Sequence, residues 1–319
     1  TYSYIFISNV HPRALLCLIC VFIGCYISYF VSRQKNLKIF YNAIALMACL
    51  QLIYVIMQSF NIDPFFSSLI GDKRDLVGVL GSRNQSGIFG AFVAPLLIGF
   101  NVICPLIGIL IVYFSKTTSA MAAIIVSLLA VLYLNKKYVL FGYLTIFIVI
   151  AIGAWNGFDN NVVPSFNERF KIWELTVNQS VSGKAIQNFN DGQSNIIKSN
   201  PITGFGIGSF MVISPTTQGD ILKNVKHRYE NAHNDFIQCL FEFGYIGLIL
   251  VILILLDILK KLKSLTNVSK GVIITFSSLL AFGISSLGVY VFYAPVSYFM
   301  CMLVYGLFNA EVKNASKSV

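Results

Sequence analysis

The sequence predicts an all-α, polytopic membrane protein with about nine transmembrane helices and one large loop on the non-cytoplasmic side. Of its 319 residues, 56% are hydrophobic and only 11% are charged, whereas soluble domains carry roughly 25% charged residues. The apolar residues come in runs of about 17 to 25, the length that crosses about 30 Å of hydrocarbon as a helix. Because lipid offers the backbone no hydrogen-bond partners, these runs must be helical.

The apolar runs form two groups of helices separated by the large loop. We assign residues 1–154 to N-terminal transmembrane helices, residues 155–233 to a loop with short helices, and residues 234–319 to C-terminal transmembrane helices and a cytoplasmic tail. Residues 1–10 are too short to cross, and we expect them to be the end of a truncated upstream helix. The third and fourth spans are short, so tilted or broken helices also fit. The predicted spans are residues 14–31, 38–58, 84–98, 101–114, 118–134, 138–154, 234–258, 271–289 and 294–309.

The basic residues indicate which side is cytoplasmic. Lys and Arg concentrate in short cytoplasmic loops. Here they follow the first, fifth, seventh and ninth spans, which is one side of the membrane if the spans alternate. The formal net charge of +10 is therefore a topology signal, and we expect no nucleic-acid partner. The clusters are Arg33, Lys35 and Lys38; Lys136 and Lys137; Lys260, Lys261, Lys263 and Lys270; and Lys313 and Lys317.

The residue pattern predicts no metal or other cofactor. All seven cysteines lie within or at the edge of apolar runs, where we interpret them as small apolar side chains. The chain has three histidines, and it contains neither an HExxH motif nor a DxD-like carboxylate pair. The glycines of residues 204–208 do not match GxGxxG, and no Walker motif is present.

Two polar clusters lie at the outer ends of predicted spans. Residues 81–87 (GSRNQSG) lead into a helix, where free backbone N–H groups offer an anion site beside Arg83 and Asn84. A polar turn with a helix cap would also fit. Residues 115–119 (SKTTS) separate two apolar runs and present Lys116 and hydroxyls to a polar cavity. Alternatively, they cap a helix while Lys116 extends to the membrane surface.

A third cluster, residues 168–174 (ERFKIWE), lies early in the large loop. Phe170, Trp173 and Val177 recur at helical spacing and predict an amphipathic helix at the membrane interface, with Arg169 on the neighbouring face. A guanidinium can bind a diphosphate with two parallel hydrogen bonds, which suits a lipid-diphosphate headgroup. An interfacial helix without a ligand is the alternative.

The fourth cluster ends the loop and carries the strongest chemical signal. A glycine-rich turn at residues 201–210 (PITGFGIGSF) is followed by residues 228–236 (RYENAHNDF) and then by a long apolar helix. His233 lies where this helix emerges, and a histidine there can act as a general base or donate to a phosphate. In the alternative interpretation, Asn231 or Asn234 is a helix cap and His233 has no catalytic role.

The helix that follows carries polar residues inside an apolar run. Asp235, Gln238 and Glu242 fall on one helical face. A carboxylate inside a span is costly and usually faces the interior of the helix bundle. Glu242 is therefore predicted either to serve the site or to form a structural interhelical hydrogen bond.

At these four clusters the sequence resembles the superfamily of O-antigen ligases and O-antigen polymerases, which are bacterial envelope enzymes. The matching motifs are, in chain order, GSRNQSG, SKTTSA, RFKIW, PITGFGIGSF and AHNDFIQCLFEFGYIGL, covering about residues 80–260. The resemblance implies a GT-C-like protein of the inner membrane whose active site faces the periplasm. It also implies metal-independent, inverting transfer of a glycan from undecaprenyl diphosphate.

The resemblance leaves the acceptor open. It is lipid A-core for a ligase, a second lipid-linked glycan for a polymerase, or a protein for the related O-oligosaccharyltransferases. The family's functional arginine corresponds to Arg169, and its histidine corresponds to His233. Lys116 stands where family members often carry Arg, and because Lys cannot make the planar bidentate contact, its role is open.

We hypothesise that the cations neutralise the departing diphosphate while His233 takes the acceptor's proton, oriented by Asp235 or Glu242. The predicted catalytic residues are His233, Arg169, Asp235 and Glu242. The predicted substrate-binding residues are Arg83, Asn84, Lys116, Arg228, Asn234 and Trp173. The rival hypothesis is a transporter or flippase of lipid-linked glycans, which predicts inverted repeats and broken helices at the membrane midplane. The sequence contains no repeat, and its polar clusters lie near one face.

Overall fold

The described part of the chain is mostly helical. The computed structural model describes residues 12–63, 78–134, 162–188, 194–218, 229–265 and 268–317. The helices are α1 (Pro12–Ser32), α2 (Lys38–Ser59), α3 (Arg83–Leu97), α4 (Pro105–Ser115), α5 (Thr118–Leu134), α6 (Val162–Ser182), α7 (Ser209–Thr217), α8 (Asp235–Lys263), α9 (Lys270–Ser285) and α10 (Pro295–Lys317), with a 3-10 turn at Gly78–Leu80. The predicted helical class is confirmed, with one exception. Strands β1 (Lys184–Asn188) and β2 (Ser194–Lys198) form an antiparallel hairpin inside the large loop.

The predicted spans correspond to helices wherever the structure describes them. The span at 138–154 lies outside the described residues. Among the described helices, α2 and α8 are long and apolar enough to cross a membrane, and the nine-span topology stays a prediction. Helix α9 ends at Ser285, before the predicted boundary at 289, because residues 286–293 form a non-helical connection to α10.

The chain folds into two compact units. The bundle unit comprises residues 22–157, 261–285 and 294–319, and the loop unit comprises residues 1–21, 158–260 and 286–293. Helix α3 is the centre of the bundle unit, buried along most of its length against α4, α5 and α9. Phe92 on α3 stacks on Phe282 of α9 at 4.5 Å between ring centroids. The Ser278 hydroxyl donates to the Phe92 carbonyl at 2.6 Å, so the polar group is satisfied inside an apolar contact.

The loop unit has an apolar core of its own. Phe241 of α8 stacks on Phe205 of the glycine-rich turn, with ring centroids 4.5 Å apart, and meets Phe210 of α7 edge-on at 5.4 Å. These aromatic contacts attach the turn and α7 to the start of α8. The buried members of this core are Ile172, Ala185, Phe205, Phe210, Ile213, Ala232 and Phe241.

Helix α8 is broken at Gly244, where the sequence predicts one continuous apolar helix. Gly244 has φ 63° and ψ −156°, a region that is essentially restricted to glycine. The break removes hydrogen bonds of the helical ladder and leaves backbone groups that need other partners.

The glycine-rich turn, residues 201–208, supplies those partners through four backbone hydrogen bonds, which together we call the turn clamp. Two N–H groups of the turn donate to carbonyls before the break, and two N–H groups after the break donate to carbonyls of the turn. The bonds run from Phe205 to Phe241 (2.9 Å), from Gly206 to Glu242 (2.8 Å), from Tyr245 to Pro201 (3.0 Å) and from Ile246 to Ile202 (3.1 Å).

The turn clamp requires glycine on both sides of the contact. A Cβ at Gly204 would lie 2.5 Å from the Gly244 nitrogen, and a Cβ at Gly244 would overlap the carbonyl oxygen of Pro201. Both neighbours are backbone atoms, so no side-chain rotation relieves the overlap. The glycines of the turn therefore serve the close approach of two backbones and need no bound nucleotide or phosphate to explain them.

Candidate functional site

Arg169 lies on the buried face of α6, in the loop unit. This face also carries Ile172 and Thr176, whereas Phe170 is 59% exposed. The exposed Phe170 is compatible with the predicted apolar face at a membrane interface, with Arg169 on the neighbouring face, and the position of α6 at an interface stays a prediction. The helix buries a stripe of polar residues against the rest of the unit and leaves Phe170 outside.

The guanidinium of Arg169 is only partly satisfied. Its Nη1 donates to the carbonyl of Gly288 at 3.1 Å, and its buried Nε has no hydrogen-bond partner among the residues that the structure describes. Within the described residues no carboxylate pairs with it. Burial lowers the pKa of Arg169, but arginine stays a cation in proteins. A half-buried positive charge with unused donors is suited to bind an anion.

His233 lies close to this cation. Its ring stands between Tyr229 and Tyr290, with centroids 5.6 and 5.5 Å away in edge-to-face geometry. Its Nδ1 is buried and has no hydrogen-bond partner in the described part of the chain. Burial, followed by the charge of Arg169, lowers the pKa of His233 to about 4. The imidazole is therefore neutral at neutral pH and able to accept a proton.

The backbone around His233 is held from both sides. His233 itself has φ 51°, an uncommon conformation for a residue other than glycine. The indole Nε1 of Trp173 donates to the Ala232 carbonyl at 2.6 Å, and the Ala232 N–H donates to Gln238 Oε1 at 3.2 Å. Asn234 Oδ1 then accepts from the second and third N–H groups of α8 at 3.1 and 3.2 Å. The interpretation of Asn234 as a helix cap is confirmed.

Asp235 ties the start of α8 to the connection at residues 286–293. Its Oδ2 accepts from the N–H groups of Val291 at 2.7 Å and Phe292 at 3.1 Å, and its own N–H donates to the Ser286 carbonyl at 2.9 Å. The same connection carries Gly288 and Tyr290. Asp235 thus positions the segment that contacts both Arg169 and His233.

The carboxyl group of Glu242 caps α7. Its oxygens accept from the N–H of Gly208, just before the helix, at 2.9 Å and from the N–H of Phe210, the second residue of the helix, at 3.4 Å. Gln238 Nε2 and the Tyr293 hydroxyl complete its partners at 3.2 and 3.1 Å. A carboxylate at a helix N-terminus is favourable because it pairs with free N–H groups. The predicted common face of Asp235, Gln238 and Glu242 is confirmed, since all three are buried.

Neither carboxylate is hydrogen-bonded to His233 in the described part of the loop unit. The hypothesis that one of them orients the imidazole directly has no hydrogen bond to support it. The groups that do contact His233 are the two tyrosine rings. Tyr290 and Gly288 are not among the predicted site residues, because residues 286–289 continue the apolar run of a predicted span. The signal that could have revealed them is the pattern Ser285-Ser286 with Gly288, two tyrosines and Pro295, which is typical of a turn.

The remaining predicted binding residues belong to the bundle unit or lie outside the described residues. Arg83 opens α3 in the bundle unit, and its carbonyl accepts from the Thr117 hydroxyl at 3.3 Å, so the two outer clusters of the sequence meet. Asn84 is half-buried, and Lys116 is exposed with φ 51° at the end of α4. Arg228 lies outside the described residues. Within the described residues no three potential metal ligands cluster.

A family model covers most of the elements that build this site. The O-antigen ligase family matches residues 103–252, which include Arg169, the glycine-rich turn, His233 and the break in α8. The match confirms the resemblance inferred from the motifs over this stretch and supports a protein of the O-antigen ligase or polymerase type. That family implies a glycosyltransferase-type enzyme. Together with the apolar helices, the match points to a membrane protein. The comparison with curated proteins found no match.

Proposed function

We propose that this chain is a metal-independent, inverting glycosyltransferase of the inner membrane. It moves a glycan from undecaprenyl diphosphate to an acceptor on the periplasmic side, in the assembly of O-antigen or a related surface polysaccharide. The observation that carries the proposal is the pair of Arg169, a half-buried cation with no carboxylate partner among the described residues, and His233, a neutral base. An anionic headgroup would complete the charge balance of this pair.

In the proposed reaction, an acceptor hydroxyl attacks the anomeric carbon of the donor glycan. The bond between that carbon and the diphosphate oxygen breaks, and its electron pair leaves with the diphosphate. One displacement inverts the configuration at the anomeric carbon. The transfer needs no further energy source because the diphosphate linkage is already activated.

Arg169 and His233 divide the work of this step. The guanidinium of Arg169 stabilises the negative charge that grows on the leaving diphosphate. The imidazole of His233 accepts the proton of the attacking hydroxyl. Burial and, after it, the charge of Arg169 lower the pKa of His233, and a bound diphosphate would offset that charge. Donor binding would therefore make His233 a stronger base at the moment it is needed.

Asp235 and Glu242 act as positioning residues in this proposal. Asp235 holds the connection that supplies the Gly288 carbonyl to Arg169. Glu242 holds the start of α7 beside the turn clamp. Both effects reach the reacting groups through the backbone.

Transfer in vitro from a lipid-diphosphate glycan, with the purified chain in vesicles, tests the proposal. We expect Arg169→Ala and His233→Ala each to lower the rate at least roughly 100-fold, the usual scale for losing a transition-state charge contact or a general base. Lys171→Ala is the matched control, because Lys171 is an exposed cation on the same helix. Full activity in both site variants would refute the assigned roles.

The same assay separates ligase from polymerase when it is run with two acceptors, lipid A-core and a second lipid-linked glycan. In cells, deletion of a polymerase would leave a single repeat unit on the surface, whereas deletion of a ligase would leave none. The periplasmic side is assigned from the lysines at the end of α8, because lysines concentrate on the cytoplasmic side of a membrane. The start of α8 then faces the periplasm.

A further inference from the structure

The β-hairpin of the loop unit has an uncovered face of unusual composition. In the register of β1 and β2, Lys184 lies opposite Lys198 and Ile186 lies opposite Ile196. All four side chains are exposed, the isoleucines by 53% and 54%. The opposite face carries Ala185, which is buried in the core of the loop unit. The hairpin is therefore held by one face and presents two isoleucines and two lysines on the other.

The charges on this face have no partner within the described structure. Like charges that face each other directly across two strands destabilise a hairpin. Neither Lys184 nor Lys198 forms an ion pair or a side-chain hydrogen bond with a described residue. An anionic layer beside the hairpin would remove the repulsion, and exposed isoleucines would gain by leaving water. Apolar side chains flanked by lysines are typical of segments that lie at a membrane interface.

The connection to α8 places the hairpin near such an interface. Pro201, whose carbonyl accepts the Tyr245 N–H, follows Lys198 by three residues, which span at most about 10 Å. The segment from Tyr245 to Lys263 is about 28 Å long, close to the thickness of the hydrocarbon layer. Nine of its residues are exposed isoleucines or leucines. We therefore take Tyr245 as one boundary of the hydrocarbon. Lys198 lies within about 10 Å of Pro201, and the hydrogen-bonded pair of Pro201 and Tyr245 adds about 5 Å, so the base of the hairpin lies within about 15 Å of this boundary.

We propose that the face formed by Lys184, Ile186, Ile196 and Lys198 is a membrane-surface anchor. The two isoleucines enter the boundary between headgroups and acyl chains, and the two lysines bind the phosphates of anionic lipids. The anchor fixes the glycine-rich turn, and with it the broken helix, at a constant depth. It is a property of the loop unit's surface and stands whether or not the proposed glycosyl transfer is correct.

Fluorescence quenching in vesicles tests the anchor on the full-length chain. The variant Ile196→Trp carries the fluorescent probe. The signal of the probe is the tryptophan fluorescence of this variant minus that of the native chain. The vesicles contain phosphatidylcholine alone or with 30 mol% phosphatidylglycerol, and dibrominated lipids report depth. Since each lysine near an anionic surface contributes roughly a fivefold preference, we expect strong quenching in the anionic vesicles that weakens in Lys184→Gln/Lys198→Gln and in 0.5 M salt. Lys171→Gln/Lys313→Gln removes the same charge from exposed sites elsewhere and should leave the quenching unchanged.

Three results would overturn the anchor. Quenching of the Ile196→Trp probe by iodide in anionic vesicles, as strong as the quenching of free tryptophan, would put the hairpin in water. Equal quenching by brominated lipid with and without Lys184 and Lys198 would leave the lysines no role. Unchanged quenching in the Lys184→Gln/Lys198→Gln variant, together with a raised KM for a lipid-diphosphate donor, would show that these lysines bind substrate instead of the bilayer.

Discussion

Replacing Gly244 by alanine should open the turn clamp. The new Cβ would overlap the Pro201 carbonyl oxygen and lie 2.5 Å from the Gly204 nitrogen, and a non-glycine residue at these angles costs about 1–3 kcal/mol. If the backbones separate and so relieve that strain, four hydrogen bonds worth roughly 1 kcal/mol each are lost instead. We therefore expect a local destabilisation of about 3–5 kcal/mol, confined to the contact between α8 and the glycine-rich turn.

Hydrogen exchange measures this effect directly. A local loss of about 3 kcal/mol corresponds to more than 100-fold faster exchange, and it should appear at the amides of Phe205, Gly206, Tyr245 and Ile246. Gly283→Ala is the matched control, because its Cβ would meet nothing within 4 Å and alanine favours a helix by about 1 kcal/mol. Unchanged protection of the four amides in Gly244→Ala would refute the clamp.

Three further predictions concern the surroundings of His233. Its pKa is about 4 in the folded chain against the ordinary 6.5, so the unfolded chain binds the extra proton between these values. The free energy of unfolding should fall by up to roughly 3 kcal/mol as the pH drops from 6.5 to 4, and the thermal midpoint should fall with it. The variant His233→Gln should lose this part of the pH dependence. Tyr290→Ala should admit water and move the acid limb of kcat/KM upward toward pH 6.5, while Tyr290→Phe keeps the ring and the native profile; identical profiles would remove Tyr290 from the site. Asp235→Ala leaves the N–H groups of Val291 and Phe292 buried without an acceptor, at about 1–3 kcal/mol each. It should therefore raise KM for the donor more than Asp235→Asn does, and equal values in steady-state assays would contradict a positioning role.

The helix positions could be read from the sequence because lipid leaves an apolar run one stable backbone structure. The family resemblance, through motifs in the same order, put Arg169 and His233 in one predicted site. The helical spacing put Asp235 and Glu242 on one buried face, since a carboxylate in an apolar helix must turn inward.

Long-range backbone contacts set the limit of sequence reasoning. The break at Gly244 depends on a turn some forty residues earlier along the chain, and glycine is common enough in membrane helices that it gives no decisive local signal. The packing of Arg169 and Thr176 against the rest of the loop unit could not be read from the spacing of α6, because a polar stripe is buried only where other backbone and side chains surround it. Tyr290 lies next to His233 because Asp235 binds the backbone of Val291, a tertiary contact with no sequence pattern.

Binding of undecaprenyl diphosphate, the unreactive leaving group, separates the two central roles. The native chain, Arg169→Gln and His233→Gln should be titrated with it in the same vesicles. Loss of a charge-assisted contact should weaken binding to Arg169→Gln roughly 10- to 100-fold. The His233→Gln variant should bind within a few-fold of the native chain and yet fail to transfer glycan. Native affinity in Arg169→Gln would contradict the claim that this cation holds the diphosphate.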